Sequence, residues 1–149
     1  LKNKITGDCK SGIVEEENNQ DGKTSLVTWL GKIGTGSSGD VKKIRKAIES
    51  LLKENQEKIN IIFDCQDLGV AVFENTSKKI LFKHSYMQIS SCGCTVNRPN
   101  HFAYIAEEPN EEQPEECFMC YIFYSPDTEK VDTLLNSIGQ GFKRTHCAV

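Results

Sequence analysis

The sequence predicts an α+β fold, a seven-stranded antiparallel sheet folded into an orthogonal sandwich, with one helix after the first strand and a second helix capping the C-terminal end. Between Lys58 and Tyr124, short runs of β-branched and aromatic residues alternate with turn-forming residues, as in an antiparallel meander. Apolar residues spaced three and four apart mark a helix on each side of this region. At 149 residues, the chain suits one domain with one core.

The N-terminal residues 1–24 are polar and contain no aromatic side chain, which predicts a flexible extension. They have the pattern of neither a signal peptide nor a transit peptide. No apolar run in the chain approaches the roughly 20 residues of a membrane-spanning helix. We therefore expect a folded domain over residues 25–149, located in the cytoplasm and at most peripheral at membranes.

Thr24 to Ile33 alternates as a first strand, in which Trp29 is expected to be a core aromatic residue. Asp40 is a good N-cap for a helix that runs to about Asn55. The apolar stripe of this helix should pack on the sheet, and cations populate the rest of its surface. The densest cluster consists of Lys42, Lys43, Arg45 and Lys46. Such a face is usually only solvated, but it can also meet anionic lipid headgroups, at about 1 kcal/mol per charge.

Six further strands are expected along the chain. They are Lys58 to Asp64, Leu68 to Phe73, Ile80 to Lys83, Met87 to Cys94, His101 to Ala106 and Cys117 to Tyr124. Asn97 to Asn100 is expected to be a loop. A second loop, Glu107 to Glu116, holds six glutamates, and three more stand at positions 15–17, so the rest of the chain is net positive although the formal charge is −3. Acidity is thus confined to segments outside the folded body.

The strand from Met87 to Cys94 has an unusual composition. It consists mainly of small residues and ends in a glycine-bearing run, which is poorly suited to a strand buried on both sides. An edge position fits it better. An edge strand offers backbone donors and acceptors to another chain unless charges protect it, and no charged residue lies in this stretch. The strand is therefore a candidate docking site.

The C-terminal helix should open at Pro126 and Asp127 and close the sheet. Its apolar face is formed by Val131, Leu134, Leu135, Ile138 and Phe142. Gly139 and Gly141 are expected to weaken its last turns, each by about 1 kcal/mol relative to alanine. Because Phe142 follows these two glycines, we expect its ring to have a role other than filling the core.

Three other classes of function find little support. Gly34, Gly36 and Gly39 spell a dinucleotide-binding pattern after a strand, but the region that follows lacks alternating strands and helices, so we expect a flexible turn. Cys117 and Cys120 have a metal-ligand spacing, yet in a strand they point to opposite faces. The histidines have no nucleophile or metal motif around them. We expect no enzyme, cofactor, metal or nucleic-acid partner.

In order along the chain, several short stretches resemble the phosphotyrosine-binding (PTB, or PID) domains, which have a pleckstrin-homology-type fold. Trp29-Leu30-Gly31 is similar to the family's Tyr-Leu-Gly. The run from Thr76 to Cys92 resembles its fifth-strand region, and His101 to Ala106 is similar to its Phe-Ala-Tyr-Ile-Ala strand. Ile138 to Phe142 resembles the end of its final helix. The resemblance covers roughly residues 25–143.

The resemblance implies an adaptor or scaffold module for signalling proteins. Domains of this family bind a peptide as an antiparallel strand added to the fifth strand, beside the C-terminal helix, and common ligands are Asn-Pro-x-Tyr tails of receptors or signalling proteins. Carried over to this chain, the peptide-binding residues are Ile89, Ser90, Ser91, Cys92, Gly93, Cys94, Leu135, Ile138 and Phe142. Phe142 would pack on the residues that lead into the ligand's turn.

For a tyrosine or phosphate pocket, the chain offers Arg98 and His101 near the expected sheet corner, and Lys83 on the preceding strand. Phosphotyrosine recognition requires charge-assisted hydrogen bonds, usually from arginine. A pocket with two arginines cannot be assembled here, which favours a ligand whose tyrosine or phenylalanine carries no phosphate. A phosphoinositide-binding domain and dimerisation through the exposed edge remain as alternatives.

Two departures from the family pattern fall close to this groove. The family's His-Pro-Ile is His84-Ser85-Tyr86 here, and its Gly-Gln-Ala-Phe is Gly139-Gln140-Gly141-Phe142. We expect Gly141 to loosen the turn that presents Phe142.

Overall fold

A computed structural model describes residues 24–54 and 56–146. Its elements are β1 (Thr24–Gly36), α1 (Lys43–Leu52), β2 (Ile59–Cys65), β3 (Gly69–Glu74), β4 (Ile80–Ser85), β5 (Ile89–Thr95), β6 (Arg98–Glu107), β7 (Phe118–Tyr124) and α2 (Thr128–His146). The predicted strands and helices are confirmed in kind and order. The predicted extension over residues 1–24 lies, except for Thr24, outside the described residues.

The seven strands form one antiparallel sheet with the order β4-β3-β2-β1-β7-β6-β5. The two end strands are therefore β4 and β5, and within the described residues β5 pairs with β6 alone. The sheet curves on itself, because His84 Nδ1 of β4 lies 2.8 Å from the Tyr104 hydroxyl of β6, although four strands separate β4 from β6 in the order. The prediction of an edge strand after Tyr86 is confirmed.

Two apolar cores lie on opposite faces of the sheet. The main core lies inside the curve, where Phe63 packs edge-on against Phe102 and Phe123 and α2 supplies fully buried side chains such as Leu134. The second core lies under α1, whose Ile44 and neighbours pack on residues of β1, β6 and β7. The predicted apolar faces of both helices are thus buried against the sheet.

The glycines near the end of α2 do not interrupt it, since the helix continues to His146. A Cβ atom on Gly141 would lie 2.8 Å from Cδ2 of Tyr86 and closer still to Cε2 and Cζ of that ring. Tyr86 is 1% exposed, and its hydroxyl donates to the Gln66 carbonyl over 2.9 Å. Gly141 therefore makes room for a large ring, and the two departures from the family pattern at positions 86 and 141 belong to one packing arrangement.

Several element boundaries differ from those predicted. β1 continues to Gly36 because it pairs with β7 as far as Phe118, so Gly34 and Gly36 lie in a strand and not in a flexible turn. The β6 strand begins at Arg98, which pairs with Thr95, and this shortens the predicted loop to a tight turn.

The first helix begins later and ends earlier than predicted. The Asp40 carboxylate accepts a hydrogen bond from the Lys42 N–H over 3.0 Å, in a turn that precedes the helix, and α1 starts at Lys43 without a side-chain cap. It ends at Leu52. Neither helix in the described part of the chain is long and apolar enough to cross a membrane.

Candidate functional site

The candidate site is the outer edge of β5, the edge that faces away from β6, together with the C-terminal half of α2. We call this surface the β5–α2 groove. α2 packs against both β5 and β6. The β5 strand is irregular, with register shifts between Ile89 and Ser91 and between Cys94 and Thr95. Such irregularities are common on edge strands and beside binding sites.

β5 is nevertheless buried on both faces, which corrects the interpretation drawn from its composition. Cys92 pairs with Tyr104 of the main core, while Ser91 pairs with Ile105 of the core under α1. Both Ser91 and Cys92 are at most 1% exposed. The small residues are needed because the segment before α1 comes very close to this strand.

That approach is made by Gly39. Its carbonyl accepts hydrogen bonds from the Ser90 hydroxyl at 3.0 Å and the Ser91 hydroxyl at 2.8 Å. A Cβ atom on Gly39 would lie 2.8 Å from Cβ of Ser90 and 2.8 Å from Cε1 of Phe118. Gly39 is therefore part of the groove wall at the Ile89 end of β5. The sequence predicts only a turn at Gly39, because a contact between residues so far apart leaves no local pattern.

The helical wall differs from the predicted set of side chains. Leu135 and Ile138 have no exposed surface and lie in the main core, so they support the groove from beneath. Phe142 is 7% exposed, and its ring stacks on that of His146 with centroids 3.6 Å apart. His146 Nδ1 also lies 3.1 Å from the Phe142 carbonyl oxygen. No sequence pattern indicates a place for His146 in this wall.

At the Thr95 end of β5 lies a small cationic group. Burial, followed by the nearby charges of Arg98 and Lys58, holds the pKa of His101 below its usual value. The His101 ring packs edge-on against Tyr124 at 5.1 Å, and its buried Nδ1 has no hydrogen-bond partner among the described residues. Arg98 and His101 are therefore neighbours, as predicted from the sequence, and Lys58 joins them.

Lys83 is exposed on β4, where it pairs with Ala71. Its neighbour His84 faces inward, so alternation along the strand directs Lys83 outward. The charges that act on His101 are those of Arg98 and Lys58.

The Ile89 end of β5 meets the acidic segment Glu107–Glu116. The Glu107 N–H donates to the Gln88 carbonyl over 2.9 Å, so this segment starts directly beside β5. Its glutamates border a cleft of about 400 Å³ whose apolar lining includes Phe118 and Met119. All of them except Glu108 are exposed.

Glu108 anchors the acidic segment in the fold. Its Oε2 lies 2.5 Å from His84 Nε2 and accepts a hydrogen bond from the Tyr121 hydroxyl. Burial lowers the pKa of His84, and Glu108 opposes that shift only in part. A neutral ring protonated at Nε2 satisfies every contact, because Nε2 then donates to Glu108 and Nδ1 accepts from Tyr104. The root of the acidic segment is thus held by buried side chains.

The cationic cluster predicted on the first helix is exposed on α1. Its members are Lys42, Lys43, Arg45 and Lys46. Arg45 forms an ion pair with Glu49 at 3.9 Å, and both side chains are largely solvated. The other face of the helix is buried, so these cations point away from the sheet.

The two cysteines considered as metal ligands differ in burial. Cys120 is buried in β7, where burial raises the pKa of its thiol, while Cys117 is half-buried just before the strand. Among the residues that the structure describes, no group of three or more histidine, cysteine or acidic side chains is arranged to hold a metal ion.

Comparison with known proteins identifies the family. The model of the phosphotyrosine interaction domain (PTB/PID) matches residues 34–148. The chain therefore belongs to the PTB/PID family, a family of protein-interaction modules that are generally non-catalytic. A solved structure described as "PH domain from PfAPH" is also similar, with 12% identity and a TM-score of 0.49, over 83% of this chain and 87% of that one. No curated protein matches.

Proposed function

We propose that this domain is an adaptor module that binds peptides of the Asn-Pro-x-Tyr type as an added antiparallel strand along β5, without requiring phosphate. The observation that carries the proposal is the position of β5, which ends the sheet and packs beside α2. Main-chain hydrogen bonds to the strand from Ile89 to Cys94 would supply attachment that does not depend on sequence, and the groove walls would supply preference. The tails of cytoplasmic signalling proteins are the proposed partners.

The direction of the peptide decides where its tyrosine lies. A strand antiparallel to β5 has its C-terminal end at Ile89, so a turn that follows the bound strand lies at that end. Arg98 and His101 lie at the Thr95 end, about 20 Å away for a strand of this length. They would therefore flank the N-terminal part of the peptide. We therefore propose that the tyrosine subsite lies near Gly39, Ser90 and Phe118, and not at the pocket of Arg98, His101 and Lys83 expected from the sequence.

Phe142 is the side chain whose loss should weaken peptide binding most, because it alone of the predicted helical residues retains exposed surface. We expect Phe142→Ala to weaken binding of a synthetic Asn-Pro-x-Tyr peptide by at least about tenfold, measured by fluorescence anisotropy. Lys143→Ala, an exposed neighbour, is the matched control and should bind as the wild type does. Phe142→Leu keeps more of the packing and should give a smaller loss in a stable protein. Normal affinity in both folded Phe142 variants would contradict the proposed groove.

A second function is supported by the outward exposure of the α1 cations, which can meet an anionic membrane surface. The two functions are separable in the same set of variants. Lys42→Glu combined with Lys46→Glu should abolish binding to vesicles that contain phosphoinositide and leave peptide affinity unchanged. Phe142→Leu should weaken peptide binding and leave vesicle binding unchanged. If the charge reversals leave vesicle binding intact, the α1 face is not a lipid site.

A further inference from the structure

We propose that phosphorylation of the ligand's tyrosine weakens binding, so that this domain discriminates against phosphotyrosine. The inference rests on the proposed function, because it takes the peptide to lie antiparallel to β5 with its tyrosine at the Ile89 end. Three observations at that end support it: its lining is uncharged, each arginine is either distant or engaged in the fold, and an acidic segment is anchored beside it.

The wall at the Ile89 end consists of small and apolar groups. Ser90 and Ser91 donate their hydroxyl hydrogens to the Gly39 carbonyl, so both donors are already in use. Phe118 also lies against Gly39. A tyrosine ring could pack on such a wall, but a phosphate group would find no charged donor among these residues.

The three arginines of the chain are occupied or distant. Arg98 lies at the Thr95 end of β5, and Arg45 pairs with Glu49 on α1. Arg144, near the end of α2, donates to the Asp67 carbonyl over 2.9 Å. Tight phosphotyrosine binding uses charge-assisted, often bidentate hydrogen bonds from arginine. This arrangement supplies no such pair at the tyrosine subsite.

The acidic segment lies next to the same wall. Phe118, which contacts Gly39, pairs with Glu107 and also lines the acidic cleft. A Cβ atom on Gly34 would lie 3.6 Å from Glu116 Oε1, which places that carboxylate beside β1. Both ends of the segment are held, because the Glu108 N–H donates to the Cys117 carbonyl over 2.7 Å. The two ends of the segment are therefore held together beside β6 and β7.

The balance of charge at this end is unfavourable to phosphate. A phosphotyrosine carries about −1.5 to −2 charges at neutral pH. Five exposed glutamates of the segment oppose it: Glu107, Glu111, Glu112, Glu115 and Glu116. The exposed cations on the flanking helices are Lys42 just before α1, and Lys143 and Arg144 in the last turns of α2. Within the described part of the chain, no hydrogen bond or ion pair fixes the ammonium group of Lys42 or Lys143 at the subsite, and Arg144 is bound to the Asp67 carbonyl. We therefore expect the five glutamates to outweigh these cations.

The test compares dissociation constants for one synthetic Asn-Pro-x-Tyr peptide and its phosphotyrosine form, at low and high salt. We expect wild type to bind the unphosphorylated peptide at least about tenfold more tightly, and this ratio to shrink with salt. A variant with Glu111→Gln, Glu112→Gln and Glu116→Gln should show a smaller ratio because the phosphopeptide binds better. Glu129→Gln, an exposed change in the first turn of α2, is the matched control and should keep the wild-type ratio.

The contrary outcomes separate the two proposals. Equal or tighter binding of the phosphopeptide by the wild type would overturn the inference while leaving strand addition in place. The inference is also overturned, and strand addition again left in place, if the triple glutamine variant keeps the wild-type ratio. If neither peptide binds even at millimolar concentration, the proposed function fails and the inference falls with it.

Discussion

Gly141→Ala should destabilise this domain by about 2 kcal/mol or more, although alanine is the better helix former by about 1 kcal/mol. The added methyl group would overlap the Tyr86 ring at three of its carbon atoms. The ring cannot move aside easily, because it is buried and its hydroxyl is bound to the Gln66 carbonyl. Chemical denaturation of the variant and the wild type measures the difference.

A double-mutant cycle shows whether the Tyr86 ring is the cause. Tyr86→Leu alone should be destabilising, since it leaves a cavity and an unpaired carbonyl. In that background, Gly141→Ala should cost much less than in the wild type, because the overlapping ring is gone. Gln140→Ala, exposed on the same helix, should be near neutral. Wild-type stability of Gly141→Ala, or strictly additive effects in the cycle, would contradict the packing argument.

Gly39→Ala should also have a large effect, of about 2 kcal/mol on stability, together with a loss of peptide affinity. The new methyl group would overlap Ser90 and Phe118, which forces the segment before α1 away from β5. That movement breaks the two hydrogen bonds from the serine hydroxyls to the Gly39 carbonyl, at about 1 kcal/mol each. Thermal unfolding and peptide titration of the same protein sample measure both consequences.

Gly34→Ala is the matched control for this change. Its new methyl group would meet no atom closer than 3.6 Å, an ordinary contact. We therefore expect stability and peptide affinity close to those of the wild type. Adding Ser90→Gly to Gly39→Ala removes one of the two overlaps and should recover part of the stability. If Gly39→Ala behaves as Gly34→Ala does, Gly39 does not shape the end of the groove.

The order of strands and the edge position of β5 could be predicted because they follow from local patterns. Alternation and turn residues separate the strands, and the small, uncharged composition of the stretch before Cys94 marks an unusual strand. The reason for that composition could not be predicted. It lies in the contact of Ser90 and Ser91 with Gly39, about fifty residues earlier in the chain.

The groove walls were predicted less well than the fold. Helical periodicity places Leu135, Ile138 and Phe142 on one face, but it does not tell which of them lies beneath the surface. The grouping of Lys83 with Arg98 and His101 stays a prediction, and the charges that act on His101 in the structure are those of Arg98 and Lys58. The contact between Tyr86 and Gly141 was indicated in the sequence, since Tyr86 is larger than the family's isoleucine and Gly141 is smaller than its alanine.

The central claim, strand addition along β5, is tested most directly by backbone methylation of the ligand. A set of synthetic Asn-Pro-x-Tyr peptides, each N-methylated at one residue before the turn, removes one peptide N–H at a time and leaves the side chains unchanged. Because successive N–H groups of a strand point in opposite directions, we predict that affinity falls at every second position by about tenfold and changes little between. Equal effects at neighbouring positions, or none at all, would contradict strand addition.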